Sequence, residues 1–467
     1  MLIPLQNDIY IFLLYALFSI VIFYLMPDKY KNFILFFTSL LFYSLCDYRF
    51  LLLVLAETII SFYLGKKIQK NSKTKVARIY LIYGIILIIT ILFLFKYLGV
   101  FSQILNNITF KIILPIGISY YSFRIISYLV DIYKGIRSEE KNIINYCVYI
   151  MFFPHLLCGP IIRSEEMLEQ LNKGITINCN LIIDGILLVI NGLFKKKVIA
   201  DNIGNYVNLI FNAPSDYPSI ALWLSAFLYS IQLYCDFSGY SDIAIGITKM
   251  FSLNCSDNFN RPYLSQNMRE FWSRWHISLS QWLRDYIYIP LGGNRTSKSR
   301  NFLNKIITFS VCGIWHGEQL HYLVWGIYHG IINFITPKKK FTSLGAINNP
   351  IMRCLNTIFT FVIAMFGWII FRANNIKESI NYIMLMFSHL KISYNDIMKS
   401  ILPFTSDYSC LSYCLTLFIM IILLYIKEIH EEKSTTHNVS TIWYGVFLIC
   451  IMLFGSTGGS SFLYANY

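Results

Sequence analysis

Runs of about 15 to 20 largely apolar residues recur along almost the whole chain, and they constrain the fold more than any other feature. They lie near 8–26, 32–46, 50–65, 79–98, 143–159, 181–194, 219–235, 301–335, 355–371, 409–426 and 441–455. A helix needs about 20 such residues to cross ~30 Å of hydrocarbon. Several runs are shorter or interrupted by glycine, which predicts re-entrant or tilted segments. In lipid, every backbone N–H and C=O must be satisfied internally, so only helices and closed barrels cross it. The strand-by-strand alternation of a barrel is absent. Hydrophobic residues make up 56% of the 467, and charged residues 14%. Soluble domains carry about 25% charge. The expected class is therefore an all-α polytopic membrane protein. Its 467 residues form one membrane domain with roughly 11 membrane-embedded helices or re-entrant segments.

The chain is basic, with 39 Lys and Arg against 25 Asp and Glu. In a membrane protein that surplus belongs to cytoplasmic loops rather than to nucleic-acid binding. The segment 66–78 holds six basic residues and no acid, which places it in the cytoplasm. Counting back three helices puts the N-terminus outside. A cytoplasmic loop around 427–433 then puts the C-terminus outside as well. The first run has no basic residue before it and no small-residue cleavage site, and it reads as a retained helix rather than a signal peptide. The 11 cysteines are scattered with no CxxC pair, and none of the 8 histidines lies in HExxH. No metal site is expected.

The polar stretch 253–300 differs from its surroundings. Within it, 265–289 reads as one amphipathic helix, with Met268, Phe271, Trp272, Trp275, Leu279 and Trp282 on one face. Three tryptophans on a stripe with arginines opposite suit the headgroup boundary of a bilayer. His276 stands at the stripe's edge. It is either a catalytic group or an anchor-helix histidine satisfied by one hydrogen bond. The embedded segment 301–335 carries His316, His321 and His329 at membrane depth, where an ionisable group is costly and so a functional candidate by default. Gly313 and Gly317 bracket Trp315-His316 and permit close backbone approach or a broken helix. His316 is the best single candidate for a general base; His321 and His329 read as packing residues. His155, between two prolines and a glycine, reads as structural. Asp236 and Asp242 end an apolar run; a catalytic acid/base pair is one reading, and the favoured one makes them caps, or partners for Arg261, Arg274 or Arg284.

Several strings together resemble one family. Leu114-Pro115-Ile116-Gly117 and Phe152-Phe153-Pro154 come first. Asp236-Phe237-Ser238-Gly239-Tyr240-Ser241-Asp242 and Asn258-Phe259-Asn260-Arg261-Pro262-Tyr263 follow. Then come Glu270-Phe271-Trp272-Ser273-Arg274-Trp275-His276, Trp282-Leu283-Arg284-Asp285-Tyr286, Ile289-Pro290-Leu291-Gly292-Gly293-Asn294-Arg295 and Gly313-Ile314-Trp315-His316-Gly317. In this order they resemble the membrane-bound O-acyltransferase superfamily, in the bacterial branch of alginate and peptidoglycan O-acetyl transfer. A sister branch, which transfers D-alanine to teichoic acids, shares the Arg-Trp-His and Trp-His-Gly motifs. The resemblance implies a ring of helices around a thin centre with a funnel on each side. It makes His276 and His316 the two signature histidines, with His316 the catalytic one. Asp236, Asn260, Arg261, Arg274, Trp275, Arg284, Asp285 and Trp315 become candidates for lining the funnel.

Such an enzyme takes acetyl groups from cytoplasmic acetyl-CoA, with no bound cofactor, and delivers them to an extracytoplasmic glycan. A histidine near neutral pKa can take a proton from a hydroxyl and return it to the leaving thiolate. His276, or backbone N–H groups near Gly317, can hold the oxyanion. Arg261, Arg274 and Arg284 either draw in CoA phosphates or snorkel to the interface. A separate extracytoplasmic esterase-like transferase, of the SGNH type, is the expected partner, alongside membrane lipids. The tail 456–467 ends in three aromatics within six residues. Tyr464 matches a tyrosine of the family's C-terminal pattern and is the candidate acyl carrier, although the last residues depart from the commoner form. Two other readings stay open: D-alanyl transfer from a carrier protein, and a non-catalytic transporter or channel.

Overall fold

The computed structural model describes residues 8–106, 113–337, 349–388, 393–401, 410–433 and 442–456. The described residues contain helices and no strand. They form two compact units. One holds the described residues up to Val189 together with Ser241–Asp257; the other holds Ile190–Tyr240 and the described residues from Asn258 onward. Tyr464 and nearly all of the tail 456–467 lie outside the described residues.

The first unit contains α1 (Ile9–Leu25), α2 (Lys31–Asp47), α3 (Leu51–Lys70), α4 (Lys75–Asn106), α5 (Ile118–Lys134), α6 (Ile143–Met151), α7 (Ser164–Lys173) and most of α8 (Cys179–Leu193). Asp8 begins α1 by accepting the backbone N–H of Tyr10 at 2.8 Å, a cap worth about 1 kcal/mol. Gly135 ends α5 in the left-handed conformation, which a side chain would resist. The apolar runs of the sequence became α1 to α4 and α6, while α5 shows no plain apolar run because Arg124 and several tyrosines interrupt it. Arg124 is fully buried and donates to the carbonyls of Tyr149, Ile150 and His155. Those carbonyls are freed where α6 breaks at Phe153–His155. His155, expected to be structural, is buried, and its Nε2 meets Thr248 Oγ1 at 2.7 Å.

The second unit contains α9 (Asp201–Asn212), α10 (Ser219–Met250, its last turns in the first unit), α11 (Met268–Arg274) and α12 (Ile277–Leu283). It continues through α13 (Lys298–His316), α14 (Leu320–Ile335), α15 (Pro350–Arg372), α16 (Ile376–Ser388), α17 (Tyr394–Ile401), α18 (Cys410–Lys433) and α19 (Ile442–Phe454). Asp28–Lys70, Lys75–Tyr97, Ser219–Met250 and Pro350–Arg372 are long and apolar enough to cross a membrane, and Ile9–Leu25, Ile143–His155 and Ile442–Phe454 are shorter apolar helices.

Between α8 and α9, Phe194–Ala200 is a π-helical turn, a local widening often found at functional places. It buries three successive lysines. Lys196 Nζ bridges Asp236 and Asp201, and Lys197 Nζ meets the other oxygen of Asp201 at 3.0 Å. Two cations and two anions thus neutralise one another out of water. Beside them Phe194 stacks on Phe447 of α19 at 3.9 Å, and Lys197 O accepts the N–H of Ser456.

Helices α13 and α14 form a tight antiparallel hairpin. Added Cβ atoms at Gly313 and Gly326 would collide with the carbonyl oxygens of Tyr322 and Phe309, and one at Gly317 with the Tyr322 ring. Backbone therefore lies directly on backbone, and the segment predicted at 301–335 is a helix pair broken at 317–319.

Candidate active site

His316 is the last residue of α13, at the closed end of the hairpin, and only 2% of it is exposed. Its ring centroid lies 4.8 Å from Trp315, 5.2 Å from Trp325 and 5.2 Å from Phe371. An apolar, aromatic wall of this kind strengthens any electrostatic interaction made inside it.

His276 reaches the same place from another direction. The helix expected over 265–289 is in fact α11, a break, α12 and a π turn at Arg284–Tyr288. The break falls at His276 itself, which has φ 42° and ψ 57°, a left-handed conformation that few residues other than Gly adopt, Asn, Asp and His among them. Two backbone hydrogen bonds impose it: Asn260 N–H to Arg274 O at 2.9 Å and Ile277 N–H to Asn258 O at 2.8 Å. Asn258 Oδ1 lies 3.0 Å from His276 Nδ1 and also accepts from Ser278 Oγ and the Ser278 N–H. His276 packs against Phe237 at 4.7 Å and Trp315 at 6.3 Å. The Trp315 ring is thus a neighbour of both histidines.

The tryptophan stripe, expected to face the headgroups, faces protein. Trp272, Trp275 and Trp282 are all buried in protein. Trp275 packs on Trp368 at 4.7 Å and Phe259 at 5.1 Å. His329 is packed within tryptophans, 5.0 Å from both Trp272 and Trp325, and neither of its ring nitrogens has a hydrogen-bond partner among the described residues. His321 is likewise buried, with its ring 4.0 Å from Tyr322.

The other candidates separate into two groups. Asp236 pairs with Lys196, a residue not picked out from sequence, rather than with Arg261, Arg274 or Arg284. It sits within α10 and does not cap it. Its neighbour Phe237 is what touches His276. Arg261 and Arg274 share Glu432 at 3.2 and 2.9 Å, and Arg274 also meets Glu270 at 2.8 Å. Burial works to lower the Arg274 pKa, but its bonds and charges with Glu432 and Glu270 outweigh it, so the value is raised. Asn260 Oδ1 accepts from Arg261 at 3.0 Å. These residues brace the 258–276 loop.

Arg284, paired with Asp285 at 2.8 Å, belongs instead to a cavity of about 390 Å³ beside α11 and α12. Arg269 and Lys305 bring two more cations to that cavity, and Trp272, Ile277 and Phe309 give it an apolar floor. Trp272 lies 5.9 Å from Trp325, which touches His316, and Ile277 follows His276 directly. Arg269 and Lys305 were missed because a cation on a helix flank carries no sign of the cavity it borders. No cluster of three or more metal-ligating side chains occurs among the described residues.

Comparison with known proteins agrees with this chemistry. The family model described as membrane-bound O-acyltransferase matches residues 134–376. The "probable alginate O-acetylase" of Pseudomonas aeruginosa is 36% identical over 82% of this chain and 74% of its own. The peptidoglycan O-acetyltransferase of Helicobacter pylori is 33% identical over 73% and 71%. The teichoic acid D-alanyltransferase of Bacillus subtilis is 29% identical over 55% and 68%.

Proposed function

Because the chain belongs to the membrane-bound O-acyltransferase family, we propose that this multi-pass membrane acyltransferase moves acetyl groups from cytoplasmic acetyl-CoA to a glycan on the other side of the membrane. The observation that carries the reading is that His276 and His316 both neighbour the Trp315 ring, at 6.3 and 4.8 Å. The greater likeness to O-acetyl-transferring relatives, in identity and coverage, favours acetyl over D-alanyl.

The cavity lined by Arg269, Arg284 and Lys305 suits the phosphates of the donor, and its apolar floor suits the pantetheine arm. A hydroxyl attacks the thioester while His316 takes its proton. The oxygen–carbon bond forms, the carbon–sulfur bond breaks, and the proton ends on the thiolate. Backbone N–H groups near Gly317 hold the oxyanion. Tyr464 is the proposed first acceptor, passing the acetyl group to an extracytoplasmic esterase-like transferase.

The test uses membranes from cells expressing the chain with its partner. Labelled acetyl-CoA supplied on the cytoplasmic side is expected to label the polymer as base-labile acetate. No label from acetyl-CoA, with transfer from a supplied D-alanyl carrier protein instead, would move the enzyme to the sister branch.

Direction of transfer depends on orientation in the cell membrane. Single cysteines placed at Asn7 and Ser72, in a cysteine-depleted background, are expected to differ. A membrane-impermeant thiol reagent added outside should label the first and spare the second. The opposite pattern would reverse the direction.

A further inference from the structure

Asn258 determines what His276 can do. Its Oδ1 accepts the backbone N–H of Ser278 at 3.3 Å, and a backbone N–H can only donate, so that atom is an oxygen. The same oxygen lies 3.0 Å from His276 Nδ1. Two acceptors cannot share a hydrogen bond, so Nδ1 carries the hydrogen. In the neutral ring Nε2 then bears a lone pair. Nε2 is buried and has no hydrogen-bond partner among the described residues. A neutral His276 held this way cannot donate to an oxyanion, but it can accept a proton.

The surroundings indicate whose proton. The residues flanking His276 open onto the cationic cavity: Ser273, Ile277 and Ser280 line it. From α13, two turns or more below His316, only Lys305, Thr308 and Phe309 do so. Accepting the donor site proposed above, the thiolate departs on the His276 side.

We propose that Asn258 is a positioning residue that fixes His276 as the Nδ1–H tautomer, so that Nε2 receives the proton collected by His316 and delivers it to the leaving thiolate. The hydroxyl proton passes to His316, crosses beside Trp315 to His276 Nε2, and ends on sulfur as a free thiol. The ester is the other product, and both imidazoles return to neutrality. The groups facing His276 are Phe237 from α10, Asn258 and Phe259 from the preceding loop, and Trp315, next to His316, from α13. The nearby ions Asp236 and Arg274 are held by Lys196 and by Glu270 with Glu432. Burial lowers the His276 pKa to about 3, which keeps the resting ring neutral.

The test compares Asn258→Leu, Asn258→Asp and Ser278→Ala in membrane vesicles given acetyl-CoA, with free thiol release followed against pH. Asn258→Leu can no longer accept from Nδ1. It should lower kcat by about 100-fold and leave KM for acetyl-CoA within about threefold. Asn258→Asp keeps the acceptor and adds a charge that favours imidazolium. The acidic limb of the profile should move up by about one pH unit or more. Ser278→Ala frees Oδ1 of one donor and should stay within about threefold of wild type. Full activity in Asn258→Leu would overturn the proposal. So would an Asn258→Asp profile that does not move, or one extended toward alkaline pH, which would mark His276 as a cationic oxyanion donor. If Asn258→Leu fails to fold, the profile of Asn258→Asp alone decides. A wild-type enzyme releasing no thiol, against the same His316→Ala baseline, overturns the acetyl-CoA reading itself.

Discussion

Replacing His316 by alanine or by glutamine is expected to lower acetyl transfer by two to four orders of magnitude. His316 closes the α13–α14 hairpin inside a wall of Trp315, Trp325 and Phe371. Glutamine keeps much of the size and the hydrogen-bonding capacity but cannot take a proton at neutral pH. The two variants therefore separate loss of a base from loss of packing. Acetate released by base from isolated polymer is the measurement, at matched protein level and gel-filtration profile. Normal acetylation in His316→Gln would remove the base assignment. A non-catalytic channel would pass its cargo in both variants, which makes the same experiment decisive against that reading. His329→Gln serves as the contrast: it should lower thermal stability and leave transfer within a few-fold, because His329 packs against tryptophans rather than against the reacting groups.

The second large effect concerns stability. Lys196→Met is expected to destabilise the protein by about 3–5 kcal/mol, since it strips the bridging cation from two buried carboxylates. Asp236→Leu alone should cost a similar amount, by leaving Lys196 with less compensation. The double variant Lys196→Met with Asp236→Leu removes one cation and one anion together and keeps Lys197 with Asp201. It should recover most of the loss, because a well-packed apolar pair often equals a buried ion pair. Thermal unfolding in detergent measures all three. Additive losses in the double variant would show that the two groups do not act as a pair.

Much of the fold could be read from hydropathy, because a lipid-facing helix declares itself in every turn. Where reading failed, the cause lies in contacts distant in sequence. Nothing in Ser273-Arg274-Trp275-His276-Ile277 signals a break: no Gly, no Pro and good helical periodicity. The break comes from hydrogen bonds to residues 258–260. The break also puts Trp282 on α12, apart from Trp272 and Trp275 on α11, and periodicity does not distinguish a lipid headgroup from a protein interior. Helix α5 went unseen because Arg124 looks prohibitive until the carbonyls at 149, 150 and 155 are known. For Asp236 a cap or an arginine partner was expected, whereas Arg261 and Arg274 hold Glu270 and Glu432, Arg284 holds Asp285, and the partner is a lysine 40 residues earlier. The close approach beside His316, by contrast, was legible, since Gly313, whose added Cβ would strike the Tyr322 carbonyl, is itself part of the sequence signal.

The glycine contacts along that hairpin also have a mechanical meaning. Two rods laid side by side bend independently if they can slip, but glued along their length they bend as one beam and resist far more. Backbone resting on backbone at Gly313 and Gly326 prevents slip between α13 and α14. His316 rides at the tip of this beam, so thermal flexing displaces it less than it would a residue ending a lone helix. Its aim depends on stiffness distributed over two helices rather than on a single local bond. A bulkier residue at Gly326, about two turns from the tip, would pry the laminate apart and loosen the aim of His316 without touching its ring.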